Sequence, residues 1–265
     1  MINSGMNKTY RSIFISDVHL GTYDSKADLL NNFLKHNTCD HLYLVGDIID
    51  GWRIQQNKWR WKQSHTNVVR RILGFTKKGT RVTFIAGNHD EFLRLIIPYG
   101  VEFGNVEILN QAEHIGVDGR HYLVTHGDLF DGITRLTPWL AFLGDKAYDV
   151  VLSLNSKLNW LLHRFGFRYF SLSQYLKGRV KKAVDFIFQF EKNLAVFCKK
   201  RGFDGVICGH IHHAEIKEID GVVYMNDGDW VESCTALVEH WDGRWEIIAW
   251  TKEKNVVEND SDYIG

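Results

Sequence analysis

Five short apolar segments of the chain each end at a cluster of Asp, His, Asn and Gly residues. The segments, residues 12–16, 41–45, 81–86, 122–125 and 205–208, have the length and composition of buried β-strands. In α/β sheets, ligands bind outside the carboxyl ends of the strands, so the five clusters are expected to meet on one rim. They are Asp17-Val18-His19, Gly46-Asp47, Gly87-Asn88-His89-Asp90, His126-Gly127-Asp128 and Gly209-His210-Ile211-His212.

Helical patterns lie between these strands. Residues 26–37 carry apolar side chains at helical spacing, and residues 59–77 have the pattern of a second helix. Strands that alternate with helices predict an α/β fold with a mixed or parallel sheet. The last third of the chain, residues 214–251, has the alternation of an antiparallel meander with turns at Asp220-Gly221 and Asp242-Gly243.

A long helix-like segment, residues 132–197, separates the fourth strand from the fifth. We interpret it as a helical insert over the rim, which makes it a candidate lid. The chain has 265 residues, of which 45% are hydrophobic, and this is enough to bury one large core. The sequence therefore predicts a single domain over residues 1–265 that contains the insert.

Composition excludes several functions and locations. Lys plus Arg and Asp plus Glu both total 32, so no global field favours nucleic acid, which is not an expected partner. The N-terminal residues lack the apolar core of a secretory signal, and no apolar run reaches the length of a membrane span. The four dispersed cysteines are typical of buried thiols in a reducing compartment. These features predict a cytoplasmic location.

The clusters contain the donor groups of a metal site. Carboxylate, imidazole and amide oxygens suit Mn²⁺, Fe²⁺ or Zn²⁺, and no Cys lies in the clusters. Residues i and i+2 of a strand face the same way, which pairs Asp17 with His19 and His210 with His212. Each cluster alone could be an ordinary turn. Together they predict a two-metal site for phosphoester hydrolysis, bridged by Asp47.

In order, the clusters match D-x-H, G-D, G-N-H-D, H-G-D and G-H-x-H, and the chain thereby resembles the calcineurin-like metallophosphoesterases. The resemblance covers residues 17–212 and implies a four-layer α/β/β/α sandwich of two mixed sheets. It also implies two divalent metal ions, expected to be manganese, with iron or zinc as alternatives. One ion would be held by Asp17, His19, Asp47 and His212, and the other by Asp47, Asn88, His126 and His210.

The same resemblance gives His89 a catalytic role without a metal of its own. A histidine there can protonate the leaving oxygen or stabilise its developing charge. Asp50 resembles the carboxylate that pairs with this histidine in related phosphatases, although it could equally be a turn residue before Gly51. Asp90 and Asp128 are interpreted as turn residues or as supports for the ligands.

A narrower resemblance is to the UDP-2,3-diacylglucosamine diphosphatases of the lipid A pathway. It rests on the sequence from Gly46 to Trp52, on the helical insert, and on Lys182, which matches a substrate-binding lysine of that group. The resemblance implies cleavage of a lipid-linked nucleotide diphosphate to UMP and lipid phosphate. His89 departs from it, since that group typically has Arg there, and residues 226–232 differ as well. A soluble phosphodiester, nucleotide or phosphoprotein substrate therefore stays open, as does a non-catalytic interaction module.

The insert bears on the substrate independently. Residues 150–184 contain no acidic residue, and their Lys and Arg residues, including Arg179 and Lys182, are interleaved with aromatic ones. Such a segment suits an anionic amphiphile or a membrane surface, with Arg179, Lys182 and Asn88 as substrate contacts. This pattern predicts a peripheral position on the inner face of the membrane. The alternative is a helical hairpin that packs on the sandwich and has a solvated basic face.

Overall fold

The computed structural model describes residues 8–56, 58–100, 104–130 and 172–253, with the backbone alone for residues 55, 172–183 and 252–253. The chain forms two compact units, residues 1–130 with 194–265 and residues 131–193. Most of the second unit, including residues 132–171 of the predicted insert, lies outside the described residues. The interpretation of residues 132–197 as an insert within one domain stays a prediction.

The described residues form eleven strands and five α-helices. The strands are β1 (Lys8–Ile15), β2 (Asn37–Val45), β3 (Arg81–Ile85), β4 (Val106–Leu109), β5 (Gln111–Ile115), β6 (His121–Thr125), β7 (Gly205–Cys208), β8 (Glu215–Ile219), β9 (Val222–Asn226), β10 (Thr235–Glu239) and β11 (Trp245–Ala249). The helices are α1 (Ala27–His36), α2 (Gly51–Gln55), α3 (Gln63–Lys77), α4 (Leu172–Arg201) and α5 (Trp250–Glu253). Three short 3₁₀ helices span Glu91–Leu95, Ile97–Tyr99 and Asp128–Phe130.

The strands make two mixed sheets. The first has the order β11-β10-β1-β2-β3-β4, in which β1 to β4 are parallel and β10 and β11 are antiparallel. The second has the order β5-β6-β7-β9-β8, in which β6, β7 and β9 are parallel. The prediction of an α/β fold with two mixed sheets is confirmed.

Two apolar cores explain why the central strands are continuously hydrophobic. In β1, Phe14 faces the second sheet and its ring stacks on that of Tyr43 in the neighbouring strand β2 at 4.6 Å, while Ile13 and Ile15 pack with α1 and α3. A strand that is buried on both faces has no polar face, and therefore shows an unbroken apolar run. On the second sheet, the end of α4 supplies buried side chains, and Lys199 donates to the Asp220 carbonyl between β8 and β9.

Parallel strands carry the polar clusters to one edge. β1, β2 and β3 end there in the first sheet, and β6 and β7 end there in the second. The β1–β2 ladder continues past the strands, since the Asp17 and His19 amides donate to the carbonyls of Gly46 and Asp47 at 3.1 and 2.9 Å. The five clusters therefore meet on one rim, as the sequence predicts.

Two predicted elements differ from the structure. The helix expected over residues 59–77 begins only at Gln63, because Trp59 packs on Gly21 and the Arg60 amide donates to the Gly21 carbonyl. The predicted meander is wrong. Both turns exist, but β8 and β9 belong to the second sheet, and β10 and β11 belong to the first. The chain changes sheet over residues 227–234, which are held by buried polar contacts at the rim.

Two further properties concern chemistry and membranes. The four cysteines are free and buried, and burial raises the pKa of the Cys234 thiol to about 11. Within the described ranges, no helix combines the length and hydropathy that crossing a bilayer requires.

A buried polar network ties the two sheets together at the end away from the rim. Glu239 of β10 is fully buried and accepts hydrogen bonds from His114 Nε2 and from the Val117 amide, both at 2.8 Å. Arg11 of β1 also donates to it, and the Tyr43 hydroxyl lies 3.2 Å from His114 Nδ1. Burial raises the pKa of Glu239, but the bonds from His114, Val117 and Arg11 lower it more, so the net pKa lies below the ordinary glutamate value.

We predict that Glu239→Ala lowers the free energy of unfolding by about 3 kcal/mol, because it leaves buried partners unpaired. Urea denaturation measures this. Since the folded-state pKa of Glu239 is lowered, the difference from wild type should be complete at neutral pH and shrink as the pH falls below the ordinary glutamate pKa. Glu246→Ala, which removes a partly exposed carboxylate of β11, is the control and should change stability by less than about 0.5 kcal/mol. Equal losses in the two variants would contradict the prediction.

Candidate metal centre

Five of the seven predicted ligands have a left-handed backbone. Their φ angles are 49° at Asp17, 50° at His19, 53° at Asp47, 72° at His210 and 53° at His212. Only eight non-glycine residues of the described ranges have positive φ, so these conformations are concentrated at the rim. Each costs on the order of 1–3 kcal/mol, and such strain persists only where the surroundings enforce it.

The two carboxylate oxygens of Asp17 differ, because one accepts hydrogen bonds and the other does not. Its Oδ2 accepts hydrogen bonds from the Ser16 hydroxyl at 2.5 Å and from the His210 amide at 2.8 Å. Its Oδ1 is buried and has no hydrogen bond, although His212 Nε2 lies 3.0 Å away and His19 Nε2 lies 3.8 Å away. A buried carboxylate oxygen without a donor is suited to a cation.

Asp47 stands between two groups of histidines. Its Oδ1 accepts the His89 amide at 2.8 Å. Its Oδ2 lies 3.3 Å from His126 Nε2 in the second sheet and 4.0 Å from His19 Nε2 in the first. One oxygen therefore faces both groups, which is the arrangement that a bridging ligand needs.

The tautomer of His126 follows from its main-chain contact. Its Nδ1 lies 2.8 Å from the Val45 carbonyl oxygen, which can only accept, so Nδ1 carries the proton. In the neutral ring, the lone pair on Nε2 then points toward Asp47 Oδ2 and toward His210 Nδ1, which is 3.2 Å away. Electron pairs that converge in this way repel one another unless a proton or a metal ion lies between them.

The charges of these groups are strongly linked. Burial raises the pKa of Asp17, but His212, His126 and His19 lower it further, and the net pKa is well below the usual range. The same balance, with His126 as the strongest neighbour, lowers the pKa of Asp47 to about 2. Burial lowers the pKa of His212, but Asp17 raises it to about 9, and Asp47 similarly raises that of His126. Protons and a metal ion compete for these same donor atoms.

The donor set fits divalent metal ions. Asn88 Oδ1, like Asp17 Oδ1, is buried and has no hydrogen bond. Nitrogen and oxygen donors without thiolates suit Mn²⁺, Fe²⁺ or Zn²⁺. Three triads of donor atoms lie within 4.8 Å of one another, namely Asp17–His19–His212, His19–Asp47–His89 and Asp47–His126–His210. The first contains three of the four ligands predicted for one ion, the third contains three of the four predicted for the other, and the second includes His89.

His89, the histidine that occurs only in the second triad, lies against Asp50. Its Nδ1 lies 3.1 Å from Asp50 Oδ2, and its ring centroid is 4.1 Å from that of Trp52. Burial lowers the pKa of His89, but Asp50 and Asp47 outweigh it and the net pKa is raised. Asp50 Oδ2 also lies 3.5 Å from His19 Nδ1, while Oδ1 accepts the Arg53 amide at the start of α2. Asp50 is thus a helix cap as well as a neighbour of two histidines.

The sequence interpretation missed a sixth cluster, Asn226-Asp227-Gly228-Asp229, at the end of β9. Because β9 runs parallel to β7, its carboxyl end lies on the same rim. Asn226 Nδ2 donates to the Gly209 carbonyl at 2.7 Å, and Asp229 Oδ1 accepts the Val231 amide at 2.8 Å. The rule that identified the other five clusters would have found this one, had the strand been recognised.

Ser16 connects this cluster to the ligands. Its hydroxyl lies 2.5 Å from Asp17 Oδ2 and 2.6 Å from Asp227 Oδ1. The Ser16 hydroxyl can donate to either carboxyl group, so it links the two. Burial, together with the nearby Asp17 carboxylate, raises the pKa of Asp227 well above its ordinary value. Gly209 is required here, since a Cβ at this position would collide with Ser16 and Asp17.

Other predicted residues support the loops. Asp90 is buried and accepts the amides of Gly87 at 2.6 Å and Ile48 at 2.8 Å, which joins the second and third clusters. Arg94 donates to both carboxylate oxygens of Asp128 and to the Ala86 carbonyl.

Arg179 and Lys182 belong to the first part of α4, residues 172–183, for which the structure describes only the backbone. Their proposed contacts with substrate stay predictions.

Comparison with known proteins decides the family. Residues 10–214 match the calcineurin-like phosphoesterase family. The chain belongs to this family. It is therefore a metal-dependent phosphoesterase, and the family uses a dinuclear metal centre.

The sequences of several known proteins align with most of this calcineurin-like phosphoesterase. UDP-2,3-diacylglucosamine hydrolase of Aliivibrio fischeri (strain MJ11) is 24% identical over 252 residues, which cover 85% of this chain and 92% of that protein. The hydrolase of the same name from Neisseria gonorrhoeae is 26% identical over 241 residues, which cover 83% and 89%. A dimetal phosphatase from Danio rerio is 13% identical, with a TM-score of 0.43, and the match covers 91% of this chain and 99% of that one.

We predict that Ser16→Ala weakens Mn²⁺ binding by about 10–100-fold, because Asp17 loses the hydroxyl that orients it. Calorimetric titration of the metal-free phosphoesterase measures the affinity, and the thermal midpoint checks that the variant is folded. Asp227→Asn keeps an oxygen that can accept the Ser16 hydroxyl and should bind Mn²⁺ more tightly than Asp227→Ala does. Ser64→Ala on α3 is the control. Wild-type affinity in Ser16→Ala would contradict the assignment.

Proposed function

We propose that this phosphoesterase hydrolyses a lipid-linked nucleotide diphosphate of the UDP-2,3-diacylglucosamine type to UMP and lipid phosphate. We further propose that it works in the cytoplasm, peripherally on the inner face of the membrane. Two independent features support the substrate class. The relatives are named for this substrate and cover most of the chain. Several apolar side chains close in sequence to the polar clusters are also exposed.

These side chains follow the polar clusters in sequence. Leu95 is 74% exposed and Leu129 is 66% exposed. Each directly follows one member of an ion pair, Arg94 and Asp128, whose side chains meet at 2.8 Å. The further members of this apolar rim are Tyr23, Ile54, Trp61 and Phe92. Exposed apolar side chains around a polar centre suit an amphiphile, whose diphosphate and acyl groups need different surroundings.

We assign one metal ion to Asp17, His19, Asp47 and His212, and the other to Asp47, Asn88, His126 and His210. Both are expected to be manganese, with iron or zinc as alternatives. When bound, two such ions neutralise phosphoryl charge and make a water molecule acidic enough to attack near neutral pH. The orphaned oxygens of Asp17 and Asn88 are the observation that supports this assignment.

The protein residues then orient the substrate and move one proton. A water molecule releases one proton to solvent and its oxygen adds to one phosphorus, while the bond from that phosphorus to the bridging oxygen breaks; solvent later returns a proton to His89. The leaving phosphate accepts a proton from His89 Nε2. Asp50 Oδ2 lies 3.1 Å from Nδ1 of the same ring, and Nε2 lies on the side of Asp47 Oδ2, at 4.0 Å. Asn88 contacts the phosphate, and we expect Arg179 and Lys182 to contact it from α4.

A soluble substrate is the second candidate. It is favoured by His89, which stands where the diacylglucosamine group typically has Arg. A non-catalytic module is disfavoured, because five strained ligand conformations would then have no use.

The substrate assignment predicts higher kcat/KM on UDP-2,3-diacylglucosamine in detergent than on soluble esters. Leu95→Ser with Leu129→Ser should raise KM for the lipid substrate about tenfold and leave a chromogenic phosphodiester unaffected, because only the acyl contacts are removed. Release of UMP is measured with Mn²⁺-loaded protein. Asp47→Ala is the inactive control and should abolish both activities. Equal or better turnover of soluble esters would overturn the lipid assignment.

The role of His89 predicts a dependence on the leaving group. His89→Gln should lower kcat on the pyrophosphate substrate by about 10²–10⁴-fold. The loss should be smaller on a p-nitrophenyl ester, since p-nitrophenolate departs without a proton. The metal content of the His89→Gln variant, measured by mass spectrometry, should match that of the wild type. The control is His240→Gln, which alters a histidine directly after β10, at the end of the strand away from the rim, and should be fully active. Loss of bound metal would instead make His89 a ligand, as the second donor triad allows.

A further inference from the structure

A second polar cleft lies at the amino-terminal ends of the strands, between α1 and α3. Its volume is about 890 Å³, and its walls include Thr9, Thr38 and Cys39 from the starts of β1 and β2. The predicted metal ligands follow the opposite ends of these strands. At 3.3 Å per residue, the length of β2 separates the cleft from Asp47 by about 25 Å. The cleft is therefore not part of the metal centre.

The cleft is cationic although the chain as a whole is neutral. Lys35, Arg70, Arg71 and Lys78 line it, against one carboxylate, Asp40. Among the described residues, the side chains of Lys35, Arg70 and Lys78 have no hydrogen bond or ion pair. Arg71 Nε donates to Asn31 Oδ1 at 2.8 Å, which orients its guanidinium group and leaves its terminal nitrogens unengaged.

Helix ends account for only part of this charge. Lys35 lies in the last turn of α1, and Lys78 caps α3, where cations offset the helix dipole. Arg70 and Arg71 lie more than one turn before the end of α3, where that effect is lost. Two adjacent arginines in mid-helix beside an open cleft therefore call for another explanation.

Gly74 is an independent observation. It lies inside α3 and lines the cleft, and a Cβ built on it would meet nothing within 4 Å. Glycine is unfavourable inside a helix, and no neighbour in the described chain requires it here. A glycine that borders open space permits a ligand to approach the helix backbone closely.

We propose that this basic cleft binds a small soluble molecule with two or more phosphate groups. Its size is that of a small-molecule site. Arginine guanidinium groups bind phosphate oxygens in pairs of hydrogen bonds, and threonine and asparagine side chains complete a polar wall. Leu34, Cys39 and Phe75, the larger apolar residues that line it, are buried, so the cleft offers no surface for an acyl chain.

The test is calorimetric titration of the Mn²⁺-loaded full chain with methylenediphosphonate, which cannot be hydrolysed. Wild type should show two binding events, one at the metal centre and one at the cleft. Arg70→Gln with Lys78→Gln should weaken one event at least about tenfold. Turnover of a chromogenic phosphodiester should stay at the wild-type rate, because both residues lie far from the metals.

Gly74→Ala supplies a second measurement that a surface-charge effect would not produce. It should weaken the same event while raising Tm by about 1–4 °C, since alanine is the better helix former. The matched control is Lys77→Gln with Lys200→Gln, which removes two exposed charges outside the cleft and should leave both events intact.

Three results would overturn the proposal. They are wild-type binding in the Arg70→Gln, Lys78→Gln variant, equal weakening in the control variant, and loss of sedimentation with phosphatidylglycerol vesicles in the cleft variant alone. The last would make the ligand a lipid headgroup. None of these results depends on the substrate of the metal centre, so the two proposals fail separately.

Discussion

The site depends on one oxygen atom, Oδ2 of Asp47, which faces histidines from both sheets. His19 reaches it from β1 and His126 reaches it from β6, at 4.0 and 3.3 Å. The His126 ring donates a hydrogen bond from Nδ1 to the Val45 carbonyl oxygen of the first sheet at 2.8 Å. The distance between the sheets is set by large side chains such as Phe14 and Tyr43. The geometry of the metal centre is therefore a consequence of how the two sheets pack.

The backbone strain and the burial of polar groups at the metal centre are energetically unfavourable, and contacts with the surrounding chain offset part of this free energy. The ligands have left-handed backbones and bring carboxylates and lone pairs together out of water. Hydrogen bonds to Asp90 and Ser16 hold the strained loops. Bound cations would remove the remaining repulsion. Anything that binds only the folded state stabilises it, so metal occupancy and folding are linked in this phosphoesterase.

Local patterns in the sequence predicted what depends on single strands. The five clusters, the parallel strands that carry them and the turn at Asp220-Gly221 were predicted correctly, because each follows from a short apolar run and its end. The path of residues 227–234 between the sheets was not, because it depends on contacts such as Ser16 with Asp227, which are far apart in sequence. The helix start at Gln63 was missed for a similar reason, since Trp59 packs on the distant Gly21. The ligand roles assigned to the clusters stay predictions.

The net charge of the chain is zero, but the rim is rich in carboxylates and the cleft at the other end of the strands is rich in Lys and Arg. The rim gathers Asp17, Asp47, Asp50, Asp90 and Asp227, all buried, and Arg94 is already paired with Asp128. In the absence of metal ions, protonated histidines balance part of this negative charge, since these aspartates raise the pKa values of His126 and His212. Two divalent cations reverse the local sign. The cleft at the other end of the strands is cationic without any metal. Metal loading therefore decides whether a phosphate compound meets one favourable site on this protein or two.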